Sequence, residues 1–336
     1  MKYCYVLLAL FIWCSYSCSG NSASIHVVDE FPKVGELKPE IYSTPVSVLL
    51  PRYMGITGKY LYIYKEKEEY LFSVFRASDL TYLFDTGKRG SGPHDFNLLD
   101  TRSFSQTEGG FKVIEAGSNL LKDVVIQDKE FKVNASSAVY PQGVTSNGFY
   151  PLADSVYLSF GQLTGENEYS LLDKKTGEVI NVGDYPDWCE LEKGVPPFVA
   201  YLKTCAVHPE GKKFAAFYSR FKRIRFYDSQ VELLKEIDVR VPPYETSYGK
   251  EMSMRPSFYI GTPYVTDKLI YVLCSKNAVE KDGETELHVW GWDGAPIACY
   301  SLGRRISLMA VDEERGKIIA WDRMVEDKFF VFDLPN

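Results

Sequence analysis

Short apolar runs alternate along this chain with turns rich in Asp, Gly and Lys, and the alternation returns in six units. Runs of that length, bounded by turn residues, read as strands. The clearest unit covers residues 205–239. It predicts strands at 205–208, 213–219, 223–228 and 233–239, with Pro209 and Gly211 in the first turn. The last unit, from Met309 onward, shows only three strands. Second strands mark the units best and begin near Leu61, Phe111, Val156, Phe214, Ile270 and Ile319. Steps of roughly 45–58 residues lie near propeller periods, and helical periodicity is nearly absent. The pattern predicts an all-β, six-bladed β-propeller in which four-stranded blades ring a central channel. Seven blades of about 46 residues each are the alternative; the long connectors favour six. Residues 41–50 have no partner in the first unit. They are the expected N-terminal strand that completes the last blade, which removes two open sheet edges.

Ahead of the repeat, residues 1–17 read as a signal peptide. Lys2 precedes an apolar run over 5–13, and the small Ser17 precedes Cys18. About a dozen apolar residues fall short of the roughly 20 that a spanning helix needs. Cys18 is the expected lipid-attachment residue, carrying acyl chains such as palmitate. A diacyl group with N-acylation anchors stably where one chain does not. Plain secretion and an N-terminal membrane anchor are the alternatives, because Tyr16 is bulky for a lipobox. Residues 18–36 then form a polar tether and 37–336 a single propeller domain. The segment 19–24 carries no acidic residue. That favours the periplasmic face of the outer membrane over the cell surface.

Composition narrows the partners. The chain is mildly acidic, with a net charge of −7, and has no basic tail, so nucleic acid is excluded as a partner. Its 24 Tyr and 20 Phe suit strands. Four cysteines follow Cys18, too few for a disulfide scaffold. Cys274 and Cys299 sit in apolar strand contexts and read as buried small side chains. Cys189 and Cys205 are the pair that a disulfide would join. The histidines, His26, His94, His208 and His288, form no zinc spacing. No nucleophile elbow and no calcium loop is present. No metal site and no cofactor are therefore expected. A divalent ion held in the channel by scattered Glu, Asn and Asp, as in lactonase-type propellers, leaves no spacing to read.

Residues 87–96, GKRGSGPHDF, form the sharpest motif. Its glycines and proline dictate tight backbone turns, and Lys88, Arg89 and His94 add positive character. No helix follows, so a blade-to-blade turn is the first reading and an anion contact the second. The turn Gly90, Gly92, Pro93 and Phe96 resembles the one after the first blade in the TolB-like six-bladed propeller lipoproteins of the Bacteroidales. His94 and Asp95 stand where that family often has Gly and Glu. The resemblance covers nearly the whole chain. It implies an envelope-tethered propeller and brings no catalytic residues.

Blade geometry supplies a candidate face. Connectors between blades share a face with each blade's second-to-third-strand turn. That face gathers connectors 184–204 and 241–261, the turn 219–224 and the Gly-rich loop. It carries Trp188, Tyr201, Tyr244, Tyr248, Arg255 and Tyr259 beside Arg220, Lys222 and Arg223. Aromatic and arginine side chains anchor interfaces. The plain alternative is that these connectors only cover blade edges. Two functions follow. One is a binding or scaffolding module for a glycan, peptide or envelope protein, including a sensor partner in carbohydrate uptake. The other is a propeller enzyme, a lactonase-like hydrolase or lyase, with acidic ligands converging on the channel. No catalytic constellation is readable, so the first is preferred.

Overall fold

The computed structural model describes residues 25–107, 109–116, 118–139, 149–153, 155–160, 166–191, 194–241, 257–276 and 283–335. Residues 1–17 and Cys18 lie outside these. Six small sheets carry almost all the regular structure; among the described residues the only helix is the single turn Pro197–Ala200. No described helix is long and apolar enough to cross a membrane.

Each of the six second strands expected from the sequence is present. They are Tyr60–Lys65, Gly110–Glu115, Val156–Ser159, Lys213–Tyr218, Leu269–Ser275 and Lys317–Trp321. In blade 4 the four strands run Lys203–Val207, Lys213–Tyr218, Arg223–Asp228 and Leu233–Val239. Buried apolar clusters lie between successive blades, one at each seam around the ring. A second strand therefore meets a neighbour on both faces. That is why Leu269–Ser275 reads as an unbroken apolar run and not as an alternation.

Ring closure follows the expected logic over a shorter stretch. Glu40–Ser43 pairs antiparallel with Lys328–Asp333 and becomes the fourth strand of blade 6. The expected strand 41–50 stops here because Pro45 has no N–H to give a ladder. Val48 then turns fully into the seam between blades 6 and 1, and its N–H bonds the Glu326 carbonyl at 2.8 Å. Blade 1 starts at Pro51.

Residues 25–36, read from the sequence as part of a polar tether, add two further strands. Ile25–Val28 lies parallel to the outer strand of blade 4, and Val34–Glu36 lies parallel to the outer strand of blade 5. The leading segment thus passes along the rims of blades 4, 5 and 6 before the chain enters blade 1. Between the two strands, Phe31 is buried in the core of the seam between blades 4 and 5.

Candidate functional site

Inner strands of five blades surround a central cavity of about 920 Å³. Its wall includes Tyr53 of blade 1, Arg102 and Phe104 of the approach to blade 2, Tyr150 of blade 3, Cys205 of blade 4 and Tyr264 of blade 5. Tyr53 and Phe104 stack with centroids 4.0 Å apart and planes 6° from parallel. The Tyr150 hydroxyl accepts the Cys205 N–H at 3.0 Å and so links blades 3 and 4 at the channel wall. Burial pushes the Tyr53 phenol and the Cys205 thiol each up to about 12, so both are neutral wall groups at physiological pH.

The mouth lies on the face of the first-to-second-strand turns. There the 208–211 turn of blade 4 presses on blade 3: a Cβ on Gly211, whose φ is +68°, would come 2.0 Å from the Leu152 carbonyl oxygen. His208 accepts the Glu210 N–H at Nδ1, 3.1 Å away. Nε2 therefore carries the proton and donates to the Asp267 carbonyl at 3.2 Å, tying the turn to blade 5. His208 is thus a fixed strut of the rim.

A smaller cavity of about 400 Å³ opens on the opposite face, lined by Arg52, Glu66, Phe160 and residues 98–102. Arg102 lines both cavities and marks the throat. Its guanidinium lies 5.5 Å from the Phe160 ring centroid. The preceding turn is set by Asp100, whose carboxylate accepts N–H groups from Arg102 at 3.0 Å and from Phe149 at 2.8 Å. Burial raises the Asp100 pKa, and those two donors work against the rise. Around the larger cavity the described charged and imidazole side chains are Arg102, Lys112, His208 and Glu210. One carboxylate among them makes neither a carboxylate pair nor an oxygen cage for a hard cation. Ring faces with cationic side chains suit a polar or anionic ligand instead.

The residues expected on the opposite face are largely engaged with each other. Trp188, from connector 184–204, lies 4.8 Å from Arg223 and 5.1 Å from Arg225, and its Nε1–H donates to Glu236 at 2.8 Å. Tyr201 is buried and stacked on Phe221. Lys222 is buried and donates to the Val241 carbonyl. Tyr259 is buried edge-on to Phe217. Arg220 is half-buried. Tyr244, Tyr248 and Arg255 lie outside the described residues.

Behind Trp188 runs a chain of alternating charges. Lys203 and Glu168 lie 2.7 Å apart, Arg225 and Glu168 3.7 Å, and Arg225 and Glu236 2.8 Å. Arg223 and Glu236 follow at 3.3 Å, then Arg240 and Asp238 at 2.9 Å. Glu168 also accepts the hydroxyls of Tyr218 and Tyr227, at 2.5 and 3.0 Å. Burial opposes charge on Arg225, but Tyr218, Tyr227, Glu168 and Glu236 together hold its pKa above the ordinary value. This part of the face is a structural network that fastens blade 3 to blade 4.

The Gly-rich loop binds itself. Asp95 Oδ2 accepts the Gly92 N–H at 2.8 Å. A Cβ on Gly90 would lie 2.2 Å from that oxygen, so glycine there makes room for the carboxylate. An intramolecular carboxylate occupies the place an anion would take, which favours the turn reading. Phe96 is fully buried among blade 1 and 2 side chains, and Lys122 of blade 2 donates to the Asp95 carbonyl at 2.6 Å. Arg89 donates to the Glu68 carbonyl at 3.2 Å, while Lys88 and His94 are exposed. Cys189 and Cys205 are both free thiols. Cys189 faces the Tyr201 hydroxyl at 3.6 Å, and Cys205 lies in the channel wall.

The channel residues escaped the sequence because the inner strands share no common pattern: they run from three residues in blades 2 and 3 to seven in blades 1 and 5. Ser105–Thr107 and Phe149–Pro151 have three residues each. Counting back one strand from Phe111 and from Val156 reaches Ser105–Thr107 and Phe149–Pro151.

A family model described as TolB-like 6-blade propeller-like matches residues 31–314. The fold is shared with a DUF4221-family protein from Bacteroides vulgatus at 12% identity and a TM-score of 0.62, covering 89% of this chain and 97% of that one. It is shared also with a protein named "Putative exported protein" from Bacteroides fragilis, at 12% identity and a TM-score of 0.57, covering 93% and 100%. At such identities the likeness concerns fold alone. No curated protein matches the chain.

Proposed function

The chain belongs to the TolB-like six-blade propeller family, and from that premise we propose that it is an envelope-anchored binding module that holds an acidic glycan in its central channel. The observation that carries this reading is the channel wall. A cavity of about 920 Å³ has the size of a ligand site. Its rings, Tyr53, Phe104, Tyr150 and Tyr264, line it with apolar surface suited to sugars, and Arg102 and Lys112 favour a carboxylate-bearing ligand. An enzyme of the lactonase type needs several carboxylates converging on the channel. Among the described lining residues of the larger cavity Glu210 alone supplies one.

Uronic-acid oligosaccharides, titrated calorimetrically against the Cys18→Ser protein, test the reading. Arg102→Ala should weaken binding roughly tenfold or more, since hydrogen bonds to charged groups are worth about 1.5–3 kcal/mol. Neutral counterparts should bind less well. If no uronate binds, or Arg102→Ala binds like the parent, the channel reading fails.

The anchor is part of the proposal. Acylation at Cys18 would hold the propeller at the periplasmic face of the outer membrane, and the name of the Bacteroides fragilis neighbour speaks of export. Cys18→Ser should release a folded ring into the soluble fraction. Membrane retention of that variant after alkaline carbonate washing would contradict lipidation.

A further inference from the structure

Blade 5 carries a side-chain cluster remote from the channel wall. Glu286 and His288 stand two residues apart on its third strand, Thr285–Gly291, and so project from the same face. Cys299, on the fourth strand, is the registered partner of His288. Cys274, on the second strand, is the registered partner of Glu286. One donor atom from each of Glu286, His288 and Cys299 lies within 4.8 Å of the others, and all three residues are buried. His288 Nε2 is 3.1 Å from Glu286 Oε2. Its Nδ1, in a fully buried side chain, has no hydrogen-bond partner. Nε2 is the nitrogen turned toward Glu286, so it is the one that can share an ion with that carboxylate, in the tautomer that carries its proton on Nδ1, where no acceptor holds it.

We infer that Glu286, His288 and Cys299 form a binding site for a zinc-class divalent cation that clamps the N-terminal segment to blade 5. Thiolate, imidazole and carboxylate are the donor set of Zn²⁺. Magnesium and calcium take oxygen ligands and would find one carboxylate here. On binding, the Cys299 thiol proton leaves to solvent, a sulfur–metal bond forms and no electron moves. The thiolate and the carboxylate match the two charges of the ion. Lys222, the buried cation beside the cluster, keeps its bond to the Val241 carbonyl.

The clamp follows from what covers the ligands. The Phe31 ring packs 4.9 Å from that of His288. Val34 pairs with Cys299, and the Cys299 N–H donates to the Lys33 carbonyl at 2.9 Å. Holding His288 and Cys299 on one ion therefore fixes the surface on which residues 31–36 lie. Sequence spacing hides the site, because one ligand comes from the neighbouring strand and no zinc consensus pairs Glu-x-His with a cysteine at that distance.

Cobalt chloride, titrated into the purified Cys18→Ser chain, is the test. One equivalent should bind and produce a thiolate-to-cobalt charge-transfer band that zinc abolishes. Cys299→Ser should remove the band, and Glu286→Gln, which keeps size and hydrogen bonding, should weaken binding at least roughly tenfold. Cys189→Ser, a thiol in another seam, should change neither. Amide hydrogen exchange over residues 31–36 should slow on loading. A folded parent protein with no thiolate band, or a band that survives in folded Cys299→Ser, overturns the site. A band without slower exchange overturns the clamp.

Discussion

Replacing Glu168 with leucine should cost the fold about 3–5 kcal/mol, the usual penalty for breaking a buried ion pair by removing one partner. Glu168 has no exposed surface, and Lys203 is only 3% exposed. Without the carboxylate, the Lys203 ammonium keeps the Tyr201 carbonyl at 3.3 Å and the faces of Phe160, Tyr169 and Tyr218 at 4.8–5.1 Å. Those contacts do not cancel a buried charge. Tyr218 and Tyr227 would lose their acceptor as well. Glu168→Gln keeps an acceptor of the same size and should cost less. The double variant Glu168→Leu, Lys203→Met should recover much of the loss, because a buried pair replaced by apolar groups is often neutral. Urea unfolding midpoints measure all three. A Glu168→Leu protein within 1 kcal/mol of the parent would show that the network adds nothing to the seam between blades 3 and 4.

Phe329→Ala should be of similar size, about 3–5 kcal/mol, through a different cause. Phe329 sits fully buried where the ends of the ring meet. Its ring is 4.9 Å from Phe75 of blade 1 and 4.8 Å from Trp321 of blade 6. Truncation leaves a cavity at the only seam joining the first blade to the last. Ile41, on the closing strand beside it, is 58% exposed, so Ile41→Ala should stay within about 0.5 kcal/mol. Equal effects of the two substitutions would mean that closure rests on backbone pairing and not on the packed seam. Guanidinium titration followed by tryptophan fluorescence separates these outcomes.

What could be read in the sequence was what repeats. Second strands pack between neighbouring blades, so most left an apolar run, broken in blade 2 by the exposed Lys112, and their six recurrences marked six blades. The closing strand was legible as an unpartnered segment, and its end was set by Pro45 and by the insertion of Val48. Ile25–Val28 and Val34–Glu36 were not legible as rim strands. Both leave most of their side chains exposed and owe their place to open backbone edges on blades 4 and 5, which no local pattern records.

The candidate face shows the other limit. Trp188 lies beside Arg223 and Tyr201, at 4.8 and 5.8 Å. Arg223 and Trp188 share Glu236 of the adjacent strand, and Glu168 of blade 3 reaches Arg225 beside them; composition could not show that these cations were already neutralised. The channel was invisible for a third reason: a wall assembled from one strand of each of five blades has no signature in any single stretch.

The path of the leading segment has a mechanical consequence. A pull on its N-terminal end loads the strand on blade 4 first, the strand on blade 5 second and the closing strand of blade 6 last. Each must peel away before force reaches the next. Two sacrificial strips therefore stand between an applied tension and the opening of the ring, and the propeller can yield length at its rim while its seams stay shut.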